Sequence, residues 1–378
     1  MASRRVRMLA ATAIVVVGGA GYFMYSLFAA QAQSGTLAQA PLNTQVQVAP
    51  AFIMAMDDSR SMVYQAVFPT RDTENLAGGG GGACWSASSD SINDSSWSFF
   101  SGPRQLRLDR VSSRGTCAYF YYITGTRDLN NNGVPPIDAF GFARSPAYSY
   151  NYFNPTSEYI PWSRGDGSTY PNSSPTEARI EPHTNTNYDL TADILDNNSR
   201  SAFRIHRGMR LPAGMMYYSS PAPGCGLNNA NSTQSIRSWR TLNAETIADC
   251  SVTAYIAYFP ATFYLPAEQP APAGFIAANR TLAVNSCSFA AATGSNRCDM
   301  YRYEIRPENY IRGANGAAYQ AAIQNFANWF TYYSSRRKAA IAAASHALAD
   351  VNNMRVGYFT INKRFDVTMY DMGMQGAK

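Results

Sequence analysis

The sequence predicts an α/β fold in which a small sheet core is interrupted by a large β-strand- and loop-rich insertion. Three observations carry this reading. Ala51–Met56 is a short, continuous apolar run of the kind that forms a buried strand of a parallel sheet. Tyr319–Asp350 is long, alanine-rich and free of Gly and Pro, as a helix requires. Val356–Ile361 (VGYFTI) then reads as a second strand, so strand, helix and strand follow one another around an insertion at 63–315. The core is expected to comprise 51–62 and 316–378.

The apolar run at 51–56 ends in Asp57, Ser59 and Ser61, spaced D-x-S-x-S. In open α/β sheets, ligands sit at the carboxyl ends of the strands. A carboxylate and two hydroxyls leaving that end offer hard oxygen ligands suited to Mg²⁺ or Mn²⁺. The alternative is a Ser/Asp-rich turn that caps the next element. The apolar strand in front of the motif favours a site.

Upstream, Arg4, Arg5 and Arg7 precede an apolar stretch, Met8–Ala30, and Ala30-Gln31-Ala32 gives a small-x-small cleavage pattern. This is the layout of a secretory signal peptide over 1–32, followed by a polar linker over 33–50. The apolar stretch is also long enough to span a bilayer, so a retained anchor is the alternative. Either way the remainder is expected to be exported. Charged residues make up only 15% of the chain and aromatics 13%, which suits a loop-rich extracellular surface. Setting aside the three leader arginines lowers the formal charge from +6 to +3, too weak and dispersed for nucleic-acid binding.

Six cysteines, Cys84, Cys117, Cys225, Cys250, Cys287 and Cys298, form an even set in an exported chain and predict disulfides. Neighbour pairing, Cys84–Cys117, Cys225–Cys250 and Cys287–Cys298, is the simplest of the 15 arrangements six cysteines allow. With no C-x-x-C and three histidines, a structural zinc site is not expected.

Within the insertion, Thr116–Thr124 and Val252–Leu265 read as strands, the second interrupted by Pro260. Gly78–Gly82 has no following Gly-Lys-Ser/Thr and is not a phosphate loop. Asp128, Asn130 and Asn132 alternate ahead of Gly133, like the opening of a Ca²⁺ loop. The closing position carries Ala139, so Asp138 would have to close the site. An Asn/Gly turn without metal is the other reading. Arg164-Gly165-Asp166 spells a tripeptide that some integrins read, but three residues recur by chance. On the helix, Phe326, Phe330, Tyr333, Ala340, Ala344 and Leu348 are expected to line one packed face.

The strand with its D-x-S-x-S resembles the metal-ion-dependent adhesion site of the von Willebrand factor A domain, a Rossmann-type fold. Four segments in order, Phe52–Met62, Tyr152–Trp162, Pro260–Ala267 and Asn325–Tyr333, are together similar to the N-terminal part of the PilY family of type IV pilus tip-associated adhesins. The resemblance runs from about Ala49 to Asn362. It implies a non-enzymatic role in pilus biogenesis and surface adhesion. It also implies residence in the periplasm, at the outer membrane surface and at the pilus tip, with minor pilins and a host or abiotic surface ligand as partners. Members of that family continue through the remainder of the A-domain, with a threonine and a second aspartate for the ion, into a β-propeller. The chain is therefore expected to be a fragment with an incomplete core, and Mg²⁺ or Mn²⁺ is expected only in a completed domain. The alternatives are an exported interaction domain anchored in the inner membrane and, with no G-x-S-x-G or H-E-x-x-H to support it, a secreted enzyme.

Overall fold

A computed structural model describes residues 50–65, 84–86, 115–117, 121–122, 133–205, 210–218, 224–227, 232–236, 239–250, 252–284, 286, 299–313, 316–352, 354–362 and 367–372. The chain divides into Met1–Pro50 and Ala51–Lys378. The expected leader and nearly all of the linker lie outside the described residues, so every described element belongs to the second unit.

The elements begin with β1 (Ala51–Met56), β2 (Cys84–Ser86) and β3 (Gly115–Cys117). The insertion continues with short strands: β4 (Ala178–Arg179), β5 (Asn187–Tyr188), β6 (Ala202–Ile205), β7 (Arg210–Leu211), β8 (Met216–Tyr218), β9 (Ser232–Ile236), β10 (Trp239–Leu242), β11 (Thr246–Ile247), β12 (Val252–Tyr255), β13 (Thr262–Pro266), β14 (Thr281–Ala283) and β15 (Met300–Glu304). Two helices, α1 (Ala317–Tyr332) and α2 (Arg336–Ala349), precede β16 (Met354–Thr360) and β17 (Met369–Met372). Helix and strand are thus mixed and the sheets are small, which fits the α/β class in its general sense. No helix among the described residues is long and apolar enough to cross a membrane.

The sequence-distant strands β1 and β16 pair in parallel, Ala51 opposite Arg355 through Met56 opposite Thr360. β17 adds antiparallel to the far side of β16, giving the order β1–β16–β17. Gly357 permits this close hairpin: a Cβ there would lie 2.6 Å from the Met369 sulfur and 2.7 Å from Val367 Cγ1. The expectation of a fully buried first strand is overturned, because Phe52 is 49% and Ile53 53% exposed. The reason lies on the faces of the sheet: successive side chains point to opposite faces, and at Phe52 and Ile53 both faces of this edge strand are left largely uncovered.

The single helix expected over 319–350 is two helices. Ser335 sits in extended backbone and its hydroxyl accepts the Lys338 N–H, an N-cap that starts a new helix. Ser334-Ser335 was the available sequence signal. The two halves of the predicted apolar face consequently have different surroundings. α1 buries Ile323, Phe326, Trp329 and Phe330 in one large core with the insertion. On α2 the expected Ala340, Ala344 and Leu348 are only half-buried, and it is Ala342, outside the predicted face, that joins Trp162 and Tyr332 in a small satellite cluster. The boundary expected near 316 therefore falls inside a single packed body made of the insertion and α1. The run 252–265 likewise divides into β12 and β13, with Pro260 in the irregular turn between them.

Three of the segments that carry the resemblance meet in this body. Phe153 packs on Phe326 at 4.9 Å between ring centroids and on Phe263 at 5.5 Å. Tyr152 packs on Trp329 at 4.8 Å and donates its hydroxyl hydrogen to the Thr262 carbonyl at 2.7 Å. Such ring pairs add about 0.5–1.5 kcal/mol beyond their area. Asn325 clasps the loop at 157–159, accepting the Tyr159 N–H at 2.8 Å and donating to the Ser157 carbonyl at 2.7 Å. Trp329 Nε1 donates to the Asn151 carbonyl and Trp162 Nε1 to the Tyr332 carbonyl. Buried polar groups are thus paired across long sequence separations, which fixes the packing. The chain after β1 is tied to the same body. Arg336 N–H donates to the Tyr64 carbonyl, and Asn151 Nδ2 donates to the carbonyls of Gln65 and Tyr333.

Candidate functional site

The carboxyl end of β1 turns sharply at Asp57. Asp57 Oδ1 accepts the Ser59 N–H at 2.8 Å, an Asx-turn, and a 3₁₀ turn over Arg60–Val63 follows at once. Asp57, Ser59 and Ser61 therefore share one turn above the shared carboxyl ends of β1 and β16, where the spacing D-x-S-x-S placed them. Asp57 is exposed and Ser59 half-buried. Of Ser61 only the backbone is described.

The neighbouring Asp58 has a separate task. Its Oδ1 accepts the Asn362 N–H at 3.1 Å and the Asn362 side-chain amide at 2.8 Å. With the Ile361 N–H donating to the Met56 carbonyl, these bonds lace the loop after β1 to the loop after β16. Desolvation pushes the Asp58 carboxyl upward, but the hydrogen bonds, led by the Asn362 N–H, outweigh it and hold the group below its ordinary value. Asp58 is thus a brace, and sequence reasoning missed it because its partner lies 304 residues away.

The donor set fits a hard divalent cation in kind, with one carboxylate and two hydroxyls, but supplies three of the roughly six oxygens that Mg²⁺ takes. Asp58, engaged by Asn362, does not extend it. When bound, an Mg²⁺ or Mn²⁺ ion would offer open positions to an anionic group of a ligand. Asp57 would be its charged anchor and Ser59 and Ser61 its neutral ligands.

The other predicted sites separate. Asp128, Asn130 and Asn132 lie outside the described residues. Asp138 opens a short 3₁₀ segment, and its Oδ1 accepts from Arg302 at 2.7 Å and from the Tyr264 hydroxyl at 2.9 Å. The Arg164–Asp166 tripeptide occupies an exposed turn closed by the Ser163–Thr169 bridge. There Asp166 accepts from Ser168 N and Oγ, and the Arg164 guanidinium lies 4.6 Å from the Tyr170 ring centre, so both charged members hold local partners.

Cys225 and Cys250 form a disulfide, as neighbour pairing expected. Cys225 sits at φ 57° between Gly224 and Gly226, both also left-handed, in a tight turn. Asp249 lies close enough to form a three-ligand group with these cysteines, but a disulfide leaves no thiolate for a metal. Cys84 and Cys117 are register partners in the β2–β3 ladder. Cys287 and Cys298 lie outside the described residues.

Sequence reasoning also missed Lys338, which is 2% exposed. Its Nζ contacts the Ile180 carbonyl at 2.8 Å, the Phe330 carbonyl at 2.7 Å and Ser334 Oγ at 2.5 Å. Ser334 gives its own hydrogen to the Phe330 carbonyl, so all three partners accept and the geometry uses all three ammonium hydrogens. Burial pushes the amine down to about 7, with the Glu181 carboxylate pulling it up and Arg337 pushing it down.

No family model matches the chain, and no curated protein or solved structure is significantly similar to it.

Proposed function

We propose that this chain is part of an exported type IV pilus-tip adhesin and pilus-assembly factor of the PilY kind, built on an incomplete von Willebrand factor A-like core. The observation that carries the reading is the parallel pairing of β1 with β16, which sets D-x-S-x-S at the shared carboxyl ends of two strands separated by some 300 residues of chain. Strand, motif, helix and strand come in the order that family uses, once the insertion is set aside. The meeting of Tyr152–Trp162, Pro260–Ala267 and Asn325–Tyr333 in one core supports it further, since these are the segments that carried the resemblance. On this reading Asp57, Ser59 and Ser61 form the first part of an Mg²⁺- or Mn²⁺-dependent adhesion site for a host or abiotic surface ligand. The partners during assembly are the minor pilins. The Cys225–Cys250 bridge accords with an oxidising compartment outside the cytoplasm.

Deleting the gene tests the reading. Loss of surface pili and of twitching motility, restored by a plasmid copy, is the expected result. Normal piliation and attachment in the deletion strain would refute it.

A further inference from the structure

A cavity of about 860 Å³ opens in the insertion body, remote in sequence from D-x-S-x-S, within the ~300–1,000 Å³ range of small-molecule sites. Its lining combines two chemistries. One part is a chain of charges. Arg302 bridges Asp138 at 2.7 Å and Glu304 at 3.3 Å, Arg306 bridges Glu304 at 2.6 Å, and Arg306 also pairs with Asp193. The other part is apolar and aromatic, with Met215, Trp239, Leu195 and Leu282.

The balance of charge selects the ligand. In the lining, Asp138, Asp193 and Glu304 stand with Arg302 and the buried Arg144, whose guanidinium donates to the Val134 carbonyl at 2.8 Å and the Pro135 carbonyl at 3.1 Å, and Arg306, outside the lining, neutralises the remaining charge through its bridges to Asp193 and Glu304. The charged part therefore exerts no net pull on an ion of either sign. It still presents carboxylate lone pairs and guanidinium hydrogens at its surface, since the Arg302 and Asp138 side chains keep 30% and 22% of their accessibility. A purely apolar ligand would strip water from these groups without replacing its hydrogen bonds, which is costly. A neutral ligand with a ring of hydroxyls and an apolar C–H face satisfies both parts.

We propose that this cavity is a binding site for a neutral saccharide. The charged part takes the hydroxyls, and the apolar part, with Trp239 and Leu282, takes the C–H face. The assignment is independent of the metal site and of the pilus reading.

The test is ligand-observed saturation-transfer NMR on the purified chain with maltose, lactose and cellobiose, and with methyl phosphate, whose methyl protons report transfer, as the ionic comparison. Leu282 and Leu195 line the cavity and are each 48% exposed, so Leu282→Trp and Leu195→Trp would each narrow it without entering the main core. At least one disaccharide is expected to show transfer and methyl phosphate none. Each variant is expected to weaken the saccharide at least tenfold with an unchanged thermal midpoint, and either variant alone suffices should the other misfold. Silence from all three disaccharides, transfer to methyl phosphate alone, or saccharide binding undiminished in the folded variants would overturn the assignment.

Discussion

The insertion body and the β1–β16–β17 sheet are held by different means. The body is closed by interlocked aromatic rings and paired polar groups, with Phe153, Phe263 and Phe326 all at most 1% exposed. The sheet has a thin cover: Val356 and Gly357 are buried, while Phe52, Ile53 and Tyr358 are about half exposed. The difference teaches that the region expected to be an accessory is the stable scaffold. The region expected to be the core is a platform held against it through Tyr64, Gln65 and the α1–α2 corner. The D-x-S-x-S turn rides on that platform.

This contrast makes mutational cost depend on location more than on residue type. Phe153→Ala removes the ring that links β13 to α1, and a loss of about 3–5 kcal/mol is expected by urea denaturation. A cost below about 1 kcal/mol would mean that the body is not the scaffold. Replacing Cys225 and Cys250 together by serine is expected to lower stability by about 2–4 kcal/mol, the usual range for a native bridge. The same pair reduced in the wild-type protein should behave alike, and unchanged unfolding midpoints in both would show that the bridge constrains nothing.

The corner between body and platform has a pH signature. In the fold the Lys338 amine titrates at about 7, below its ordinary value of 10.5. Between those values the unfolded chain holds a proton that the folded chain has released. Stability therefore rises with pH across that window, by up to about 1.4 kcal/mol per unit, and the lysine adds no slope well below 7. The wild-type protein is expected to gain on Lys338→Met as pH rises from 7 to 10, read as the gap between their urea midpoints. A constant gap would place the amine at its ordinary value. On the platform itself, Ile53→Ala is expected to change stability by no more than about 0.5 kcal/mol, since half the side chain is already in water. A loss of several kcal/mol would mean that β1 is covered in solution.

Much of the local structure was legible in the sequence. The apolar run at 51–56, the D-x-S-x-S turn, the second strand and the Cys225–Cys250 pair are encoded over short distances or follow from simple adjacency. The exposure of β1 was not legible, because it depends on what packs over the two faces of the strand and not on its own residues. The helix break at Ser334-Ser335 was signalled by an N-cap residue but masked by the alanine-rich run around it. Asn325 with Tyr159, Asp58 with Asn362, and Asp138 with Arg302 are joined across more than 160 residues. No local pattern announces such pairs, since each partner alone reads as an ordinary polar residue.

We propose that the D-x-S-x-S turn on the platform acts in adhesion and does little for folding. The direct measurement pairs the thermal midpoint of purified Asp57→Ala protein with surface attachment by a deletion strain carrying the same substitution. The account predicts a midpoint indistinguishable from wild type, because Asp57 is exposed, together with attachment no better than in the deletion strain. Wild-type attachment by the Asp57→Ala strain would contradict it.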